Sequence, residues 1–485
     1  MTRRPPHARS HPGLLRQRPP FRRTSYRPAP DPRYTRPKGL ATAWTRVRRL
    51  LWSWWPWALL ALYFIDQREW WWAIGIGAWA GVCALATPAE FPPQYGLDHH
   101  LEVGSAEFLD TMAGAAGIPF LEGNSLTLLN NGDRFYPAML DAIDRAERSI
   151  TVEAYIYWNG EIGLQFGRAL AAAAQRGVRV KILLDAVGSS TIGREILRLL
   201  QDGGCHLAWY NPIRLRRLRR INNRTHRKSL VIDGSIGFTG GAGIADHWTG
   251  DAQDETHWRD LQIRIEGPAV RPLQTGFAQN WLECTGELLT GADFYPRLQR
   301  RGALSVQTIM SSPETGASTV RVLYCLGISA ARRTIDIANP YFVPDHVAID
   351  LFRDAVKRGV RVRIMVAGVR NDTLVTRLNS VRLYGALLDA GVELLEYNRT
   401  MMHHKIMVVD GCWSTVGTAN FDNRSFSHNE ESNVCVCDEA FARDLTETFE
   451  RDARICQRVT KDQWRRRSVV HKTMEGLASF VQDQV

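Results

Sequence analysis

Lysine is scarce in this chain. It supplies seven of 485 residues, against 54 arginines. Where a positive charge is needed the sequence nearly always uses arginine, so each lysine marks a position where the shape of the cation can matter. Paired cysteines are also absent. The eight cysteines stand at 83, 205, 284, 325, 412, 435, 437 and 456, with no C-x-x-C among them. That excludes the usual zinc-ribbon and thioredoxin-type motifs. Cys435 and Cys437 share one face of an expected strand, but two thiols do not make a zinc site, so reduced thiols are expected. Basic charge is missing from most of the chain as well. Residues 1–49 carry +13 of the formal +11 and leave −2 for everything after them. A broad cationic surface of the kind that wraps nucleic acid is therefore not expected in the folded part.

The first 49 residues are rich in Arg and Pro without apolar periodicity, and read as a disordered basic tail. Two apolar runs follow, "LLWSWWPWALLALYFI" (50–65) and "WWWAIGIGAWAGVCALAT" (70–87). Each is near the lower limit of about 17–25 residues for a membrane span. Their tryptophans suit the bilayer interface, and Asp66–Glu69 forms a short polar break. The expected structure is a transmembrane helical hairpin. Arg46, Arg48 and Arg49 before it place both ends in the cytoplasm by the positive-inside rule.

After Pro88 the pattern becomes that of an α/β protein, and it is duplicated. Residues 146–158 read as a strand, 163–177 as a helix stopped by Gly177, and 178–190 as a strand entering a loop. The second half repeats this as a strand and loop at 331–344, a helix at 346–359 stopped by Gly359, and a strand at 360–368. "RGVRV" begins at 176 and again at 358. The domain expectation is thus a tail (1–49), two transmembrane helices (50–88), and two α/β domains (89–300 and 301–485). The fold expectation is α/β, with the duplicated domains packed face to face.

Each half closes on the same element, His226-x-Lys228-x4-Asp233 and His403-x-Lys405-x4-Asp410. The composition predicts roughly 0.01 chance occurrences of this pattern. In a strand, residues i and i+2 share a face, so His226 projects with Lys228 and His403 with Lys405, while His404 points away. The chemistry suits a phosphodiester. One imidazole attacks phosphorus, and the other protonates the leaving alkoxide and then deprotonates the incoming hydroxyl. Two ammonium groups offset charge on the phosphoryl oxygens. Asp233 and Asp410 are expected to orient the rings.

These motifs resemble those of the phospholipase D superfamily, and from about Gly117 to Asp452 the chain is similar to bacterial cardiolipin synthases. "EAYIY" (153–157), "NPYFVPD" (339–345) and "GTANFDNRSFSHNEE" (417–431) add to the likeness. The resemblance implies catalytic roles for His226, Lys228, Asp233, His403, Lys405 and Asp410, and substrate-binding roles for Asn420 and Glu431. It implies phosphatidyl transfer between two phosphatidylglycerol molecules, with no metal or cofactor. The implied partners are anionic phospholipid and the bilayer of a bacterial cell membrane, with no nucleic acid. Hydrolysis, with water as acceptor, is the alternative within the enzyme class, and a nuclease the more distant one. The sequence departs from the family in one place. Where Gly-Gly-x-Asn is usual after the first motif, Gly240-Gly241-Ala242-Gly243 stands here.

The duplication also exposes an insertion. The first half carries ten extra residues before His226, within "NPIRLRRLRRINNRT" (211–225). Its arginines are expected to rest on anionic headgroups.

Overall fold

The structure, a computed structural model, describes residues 53–85, 101–213, 222–312 and 319–479. The basic tail, the outer ends of the two apolar runs and most of the arginine-rich insertion lie outside these residues.

The structure divides into two units after Gly81. α1 (Trp54–Asp66) and α2 (Trp70–Leu85), which runs across that division, are joined by a tight turn in which Arg68 takes a φ of 61°. Trp57 meets Trp79 edge to face at 6.5 Å, and Phe64 lies 6.4 Å from Trp72. The helical hairpin expected from the sequence is present, but the helices have 13 and 16 residues. At 1.5 Å per residue they reach about 20 and 24 Å, short of a hydrocarbon core of about 30 Å. Among the described residues no helix is long and apolar enough to cross a membrane, so the expectation of two transmembrane helices is corrected to a hairpin of two short ones. Its outer surface is apolar. Leu59, Leu62, Tyr63, Trp70, Trp72 and Ile74 are all exposed, and Trp71 is 87% exposed.

The second unit holds the α/β structure. Its first half supplies β1 (Leu121–Asn130), β2 (Ser149–Ala154), β3 (Arg179–Asp185), β4 (His206–Tyr210), β5 (Arg224–Thr225), β6 (Ser229–Ile232), β7 (Ile236–Gly240) and β8 (Leu261–Glu266). The second half supplies β9 (Leu304–Ser311), β10 (Thr334–Ala338), β11 (Arg361–Ala367), β12 (Glu393–Tyr397), β13 (Lys405–Val409), β14 (Trp413–Gly417), β15 (Asn429–Cys437) and β16 (Gln457–Val459).

The duplication holds at the level of strand pairing. β2 runs parallel to β3 and antiparallel to β6; β10 runs parallel to β11 and antiparallel to β13. Each parallel pair is connected by a helix, Glu161–Gln175 and His346–Lys357. Gly177 and Gly359 follow these helices with φ near +90°, a conformation costly for residues with a Cβ. In the first helix Ile162, Phe166, Leu170 and Ala173 recur at helical spacing and are buried against the sheet. All six residues of β2 are buried, as expected of a strand covered on both faces.

Two α/β domains packed face to face were expected. Instead, the strands of both halves join in one hydrogen-bonded order, in which β14, β15, β9, β1, β8 and β7 are successive neighbours. A core cluster draws on both halves, with Val231, Ile263 and Ile265 from the first and Ile406, Val416 and Val434 from the second.

Candidate active site

The registers fix where the motif residues stand. Glu153 of β2 pairs with Ser229 of β6, so His226 lies just past the C-terminal end of β2. Ala338 of β10 pairs with Ile406 of β13, so His403 lies just past the C-terminal end of β10. Loops follow the parallel strands at these ends, where α/β sheets usually place their sites. All four side chains are buried. His226 is 8% exposed, and His403, Lys228 and Lys405 are 5% exposed or less.

Each histidine is gripped by a carboxylate from the other half. Nδ1 of His226 lies 2.9 Å from Oε2 of Glu431. Nδ1 of His403 lies 2.9 Å from Oδ2 of Asp260. The two carboxylates are equivalents in the duplication. Gly240 pairs with Gln262 and Gly417 with Asn433, and two residues back along each chain stand Asp260 and Glu431. A carboxylate that accepts from Nδ1–H leaves Nε2 unprotonated and aimed elsewhere, which is the tautomer a nucleophile or base requires.

The lysines bind back onto their own motif. Lys228 Nζ donates to the His226 carbonyl at 2.9 Å. Lys405 Nζ donates to the His403 carbonyl and lies 3.1 Å from Nε2 of the His403 ring. Burial pulls the lysines down, Lys228 to about 7, with Lys405 adding repulsion, and Lys405 to about 8. Burial likewise holds His226 down at about 4, against the pull of Glu431, and lowers His403 far below its usual value. Burial alone would raise Glu431; the neighbouring His226, Lys228 and the Thr418 hydroxyl bring it to about 2. The site thus sets two lysines and two histidines against two buried carboxylates, and the lysines offer cationic donors to an anionic phosphodiester.

Asp233 and Asp410 do not orient the rings; the sequence-based expectation fails here. They sit at the far ends of β6 and β13, each five residues on from its lysine. Each is the first residue of an Asp-Gly turn with both φ values positive: 50° and 64° at Asp233–Gly234, 54° and 65° at Asp410–Gly411. Such turns suit a tight hairpin. Each carboxylate accepts three backbone N–H groups from the segment entering the neighbouring strand. Asp233 binds those of Glu147, Arg148 and Ser149, and Asp410 those of Arg332, Arg333 and Thr334. The motif aspartate therefore anchors the strand that carries the histidine and lysine.

Aromatic rings line the histidines. Tyr155 lies 5.3 Å from His226, and Tyr341 lies 6.0 Å from His403. Trp248 and Trp258 each lie 5.5 Å from His403, and Trp248 Nε1 donates to Asp260 at 2.9 Å. Trp248 also occupies the space beside Gly243. A Cβ at Gly243 would come within 2.9 Å of Ile156 and 3.0 Å of the Trp248 ring. Asn420, by contrast, is buried and its side-chain oxygen has no hydrogen-bond partner, which leaves that oxygen available to a ligand. His404 faces away as expected, buried with its Nε2 3.8 Å from Asp452, which also binds Arg259 at 3.0 Å.

Residues 139–281 and 324–453 match a family described as cardiolipin synthase, PLD-like domain. The chain belongs to this family. It is 33% identical over 361 residues to "Cardiolipin synthase 2" of Staphylococcus epidermidis, covering 74% of each chain. It is 36% identical over 366 residues to "Cardiolipin synthase" of Geobacillus kaustophilus, covering 75% of this chain and 73% of that one. The solved structure of phosphatidylserine synthase from Haemophilus influenzae Rd KW20 superposes with a TM-score of 0.60 at 13% identity, over 78% of this chain and 100% of that one, which shows a shared fold. The match spans both halves of the duplication, and each half's histidine is held by a carboxylate of the other.

Proposed function

We propose that this protein is a cardiolipin synthase that transfers a phosphatidyl group from one phosphatidylglycerol to another and releases glycerol. The observation that carries this reading is the pair of crossed contacts, Glu431 with His226 and Asp260 with His403, in one site. In the first step an imidazole Nε2 attacks phosphorus, the bond to the glycerol oxygen breaks, and the other histidine, which enters the step as an imidazolium held by its carboxylate once the anionic phosphodiester is bound, delivers the proton to that oxygen. In the second step the same histidine takes the proton from the acceptor's hydroxyl, the phosphorus–nitrogen bond breaks, and cardiolipin forms. One phosphodiester replaces another, so no nucleotide is consumed. Lys228 and Lys405 offset the charge that builds on the phosphoryl oxygens. His226 is the nucleophile in this reading, because Nε2 of His403 is already covered by Lys405. The lysines hold the phosphate, with the side-chain amide N–H of Asn420 donating to it.

The apolar outer surface of the α1–α2 hairpin supports a seat in the bilayer. The catalytic halves then work on the cytoplasmic side of a bacterial cell membrane in this reading.

The test is mass spectrometry of lipids after incubation with phosphatidylglycerol vesicles. Cardiolipin and glycerol in equal amounts are expected, and His226→Ala and His403→Ala each abolish both. Phosphatidic acid as the main product would make the protein a hydrolase, and a phosphatidyl group trapped on His403 by rapid denaturation at neutral pH would reverse the two histidine roles.

A further inference from the structure

Cys412 and Cys437 belong to no part of the chemistry above, yet their sulfurs lie 3.4 Å apart. Cys412 stands in the turn from β13 to β14, directly after the Asp410–Gly411 pair, and Cys437 is the last residue of β15. The strands hold the two together: Trp413 pairs with Cys437, and the Asp438 N–H donates to the Cys412 carbonyl at 3.0 Å. Both thiols are partly exposed, whereas the neighbouring Cys435 is buried. Gly104 lies over the pair; a Cβ there would come within 2.6 Å of the Cys412 sulfur.

We propose that Cys412 and Cys437 form a redox-active dithiol, a modification site that a low-molecular-weight disulfide converts to an intramolecular disulfide. The Cys412 thiolate attacks one sulfur of the oxidant and expels one small thiol, leaving a mixed disulfide. The Cys437 thiolate then attacks the Cys412 sulfur and expels the second small thiol. Two protein thiols are oxidised, the oxidant is reduced to two thiols, and the two protons leave with them. The order of attack follows from the local electrostatics. Hydrogen bonding from Cys437 lowers the Cys412 pKa, the Arg333 guanidinium adds to the effect, and Cys437 itself is raised.

The bond would staple the far end of the β13–β14–β15 ribbon. Lys405 opens β13 and Glu431 lies near the start of β15, so the site is at the other end of the same strands. Oxidation should therefore stiffen the support of both residues without touching either.

The experiment incubates the purified full-length protein with oxidised glutathione, alkylates the remaining thiols and maps the peptides. A linked 412–437 peptide that dithiothreitol dissolves is expected, together with a rise of a few degrees in the unfolding midpoint. In Cys437→Ser the Cys412 thiol should instead retain glutathione, and in Cys412→Ser no link and no shift should appear. Separate glutathione adducts on both cysteines of the wild type, or full alkylation of both, would overturn the proposal. The wild-type peptide map decides this even if a serine variant fails to fold.

Discussion

Asp260, in the first half of the chain, holds Nδ1 of His403, in the second, at 2.9 Å. The contact is the mirror of Glu431 on His226, and both carboxylates are fully buried. An amide at either place can still hydrogen-bond, but it can accept from the ring only through one oxygen and cannot stabilise an imidazolium. Asp260→Asn and Glu431→Gln are each expected to lower kcat by at least about 100-fold. Substrate affinity and the unfolding midpoint should change little. Near wild-type turnover in either variant would remove the crossed pair from the mechanism.

The motif aspartates should behave differently. Asp410 accepts three backbone N–H groups at the entry to β10. Asp410→Asn is expected to cost about 1–3 kcal/mol of stability, with turnover per folded molecule within about threefold of wild type, since no reacting atom is touched. Calorimetry alongside active-site titration separates the two effects. A loss of turnover in fully folded protein would return Asp410 to a chemical role.

Sequence and structure part company over these carboxylates for a physical reason. Strand alternation puts His226 on one face with Lys228; in the structure both lie just before β6 begins at Ser229, with Lys228 folded back onto the His226 carbonyl. Alternation does not say which sheet end a turn residue reaches, so Asp233 and Asp410 were grouped with the histidines they follow. Asp260 carries no local signature; it is one acid in "HWRDLQ". It emerges only when β8 is aligned on β15 through the pairing of Gly240 and Gly417. Glu431 was legible through the family likeness, though as a substrate contact rather than as the partner of His226. The hairpin and its polar break at Asp66–Glu69 were legible from the apolar runs, but such runs do not mark where a helix begins: Ser53 is extended and α1 starts at Trp54.

Lys405 bonds to the carbonyl of His403 and to its ring while 1% exposed. A planar guanidinium does not fit a space shaped for a compact ammonium. Lys405→Arg should lose at least about tenfold in kcat/KM, about 1.4 kcal/mol of transition-state stabilisation. Steady-state kinetics at one pH checks this; unchanged rates would make the preference for lysine here accidental.

The lysines also set a pH signature. Their folded values, about 7 for Lys228 and about 8 for Lys405, lie below the ordinary 10.5. Between those limits the unfolded chain holds more protons than the folded one, so their contribution makes stability rise with pH across that window. Activity should do the opposite, because the ammonium groups that hold the phosphate are being lost. The expected result is an alkaline fall in kcat/KM beginning near pH 7–8, read as a property of the coupled pair, while their titration favours folding over the same range. A kcat/KM that stays flat to pH 10 would show that the lysines remain charged.

Gly243 offers the last test. Family likeness places an asparagine at this position, opposite Asn420 in the duplication, and restoring it invites the expectation of a better phosphate site. The structure argues against that outcome. A Cβ at 243 meets Ile156 at 2.9 Å and the Trp248 ring at 3.0 Å, and that indole is the group that donates to Asp260. Gly243→Asn must displace Trp248 and with it the carboxylate that orients His403. It should cost about 1–3 kcal/mol in overpacking and reduce turnover. Pairing it with Trp248→Tyr makes room for the new side chain and should recover part of the stability. If Gly243→Asn alone raises turnover, then Trp248 yields without disturbing Asp260, and the missing asparagine, not the indole, limits the enzyme.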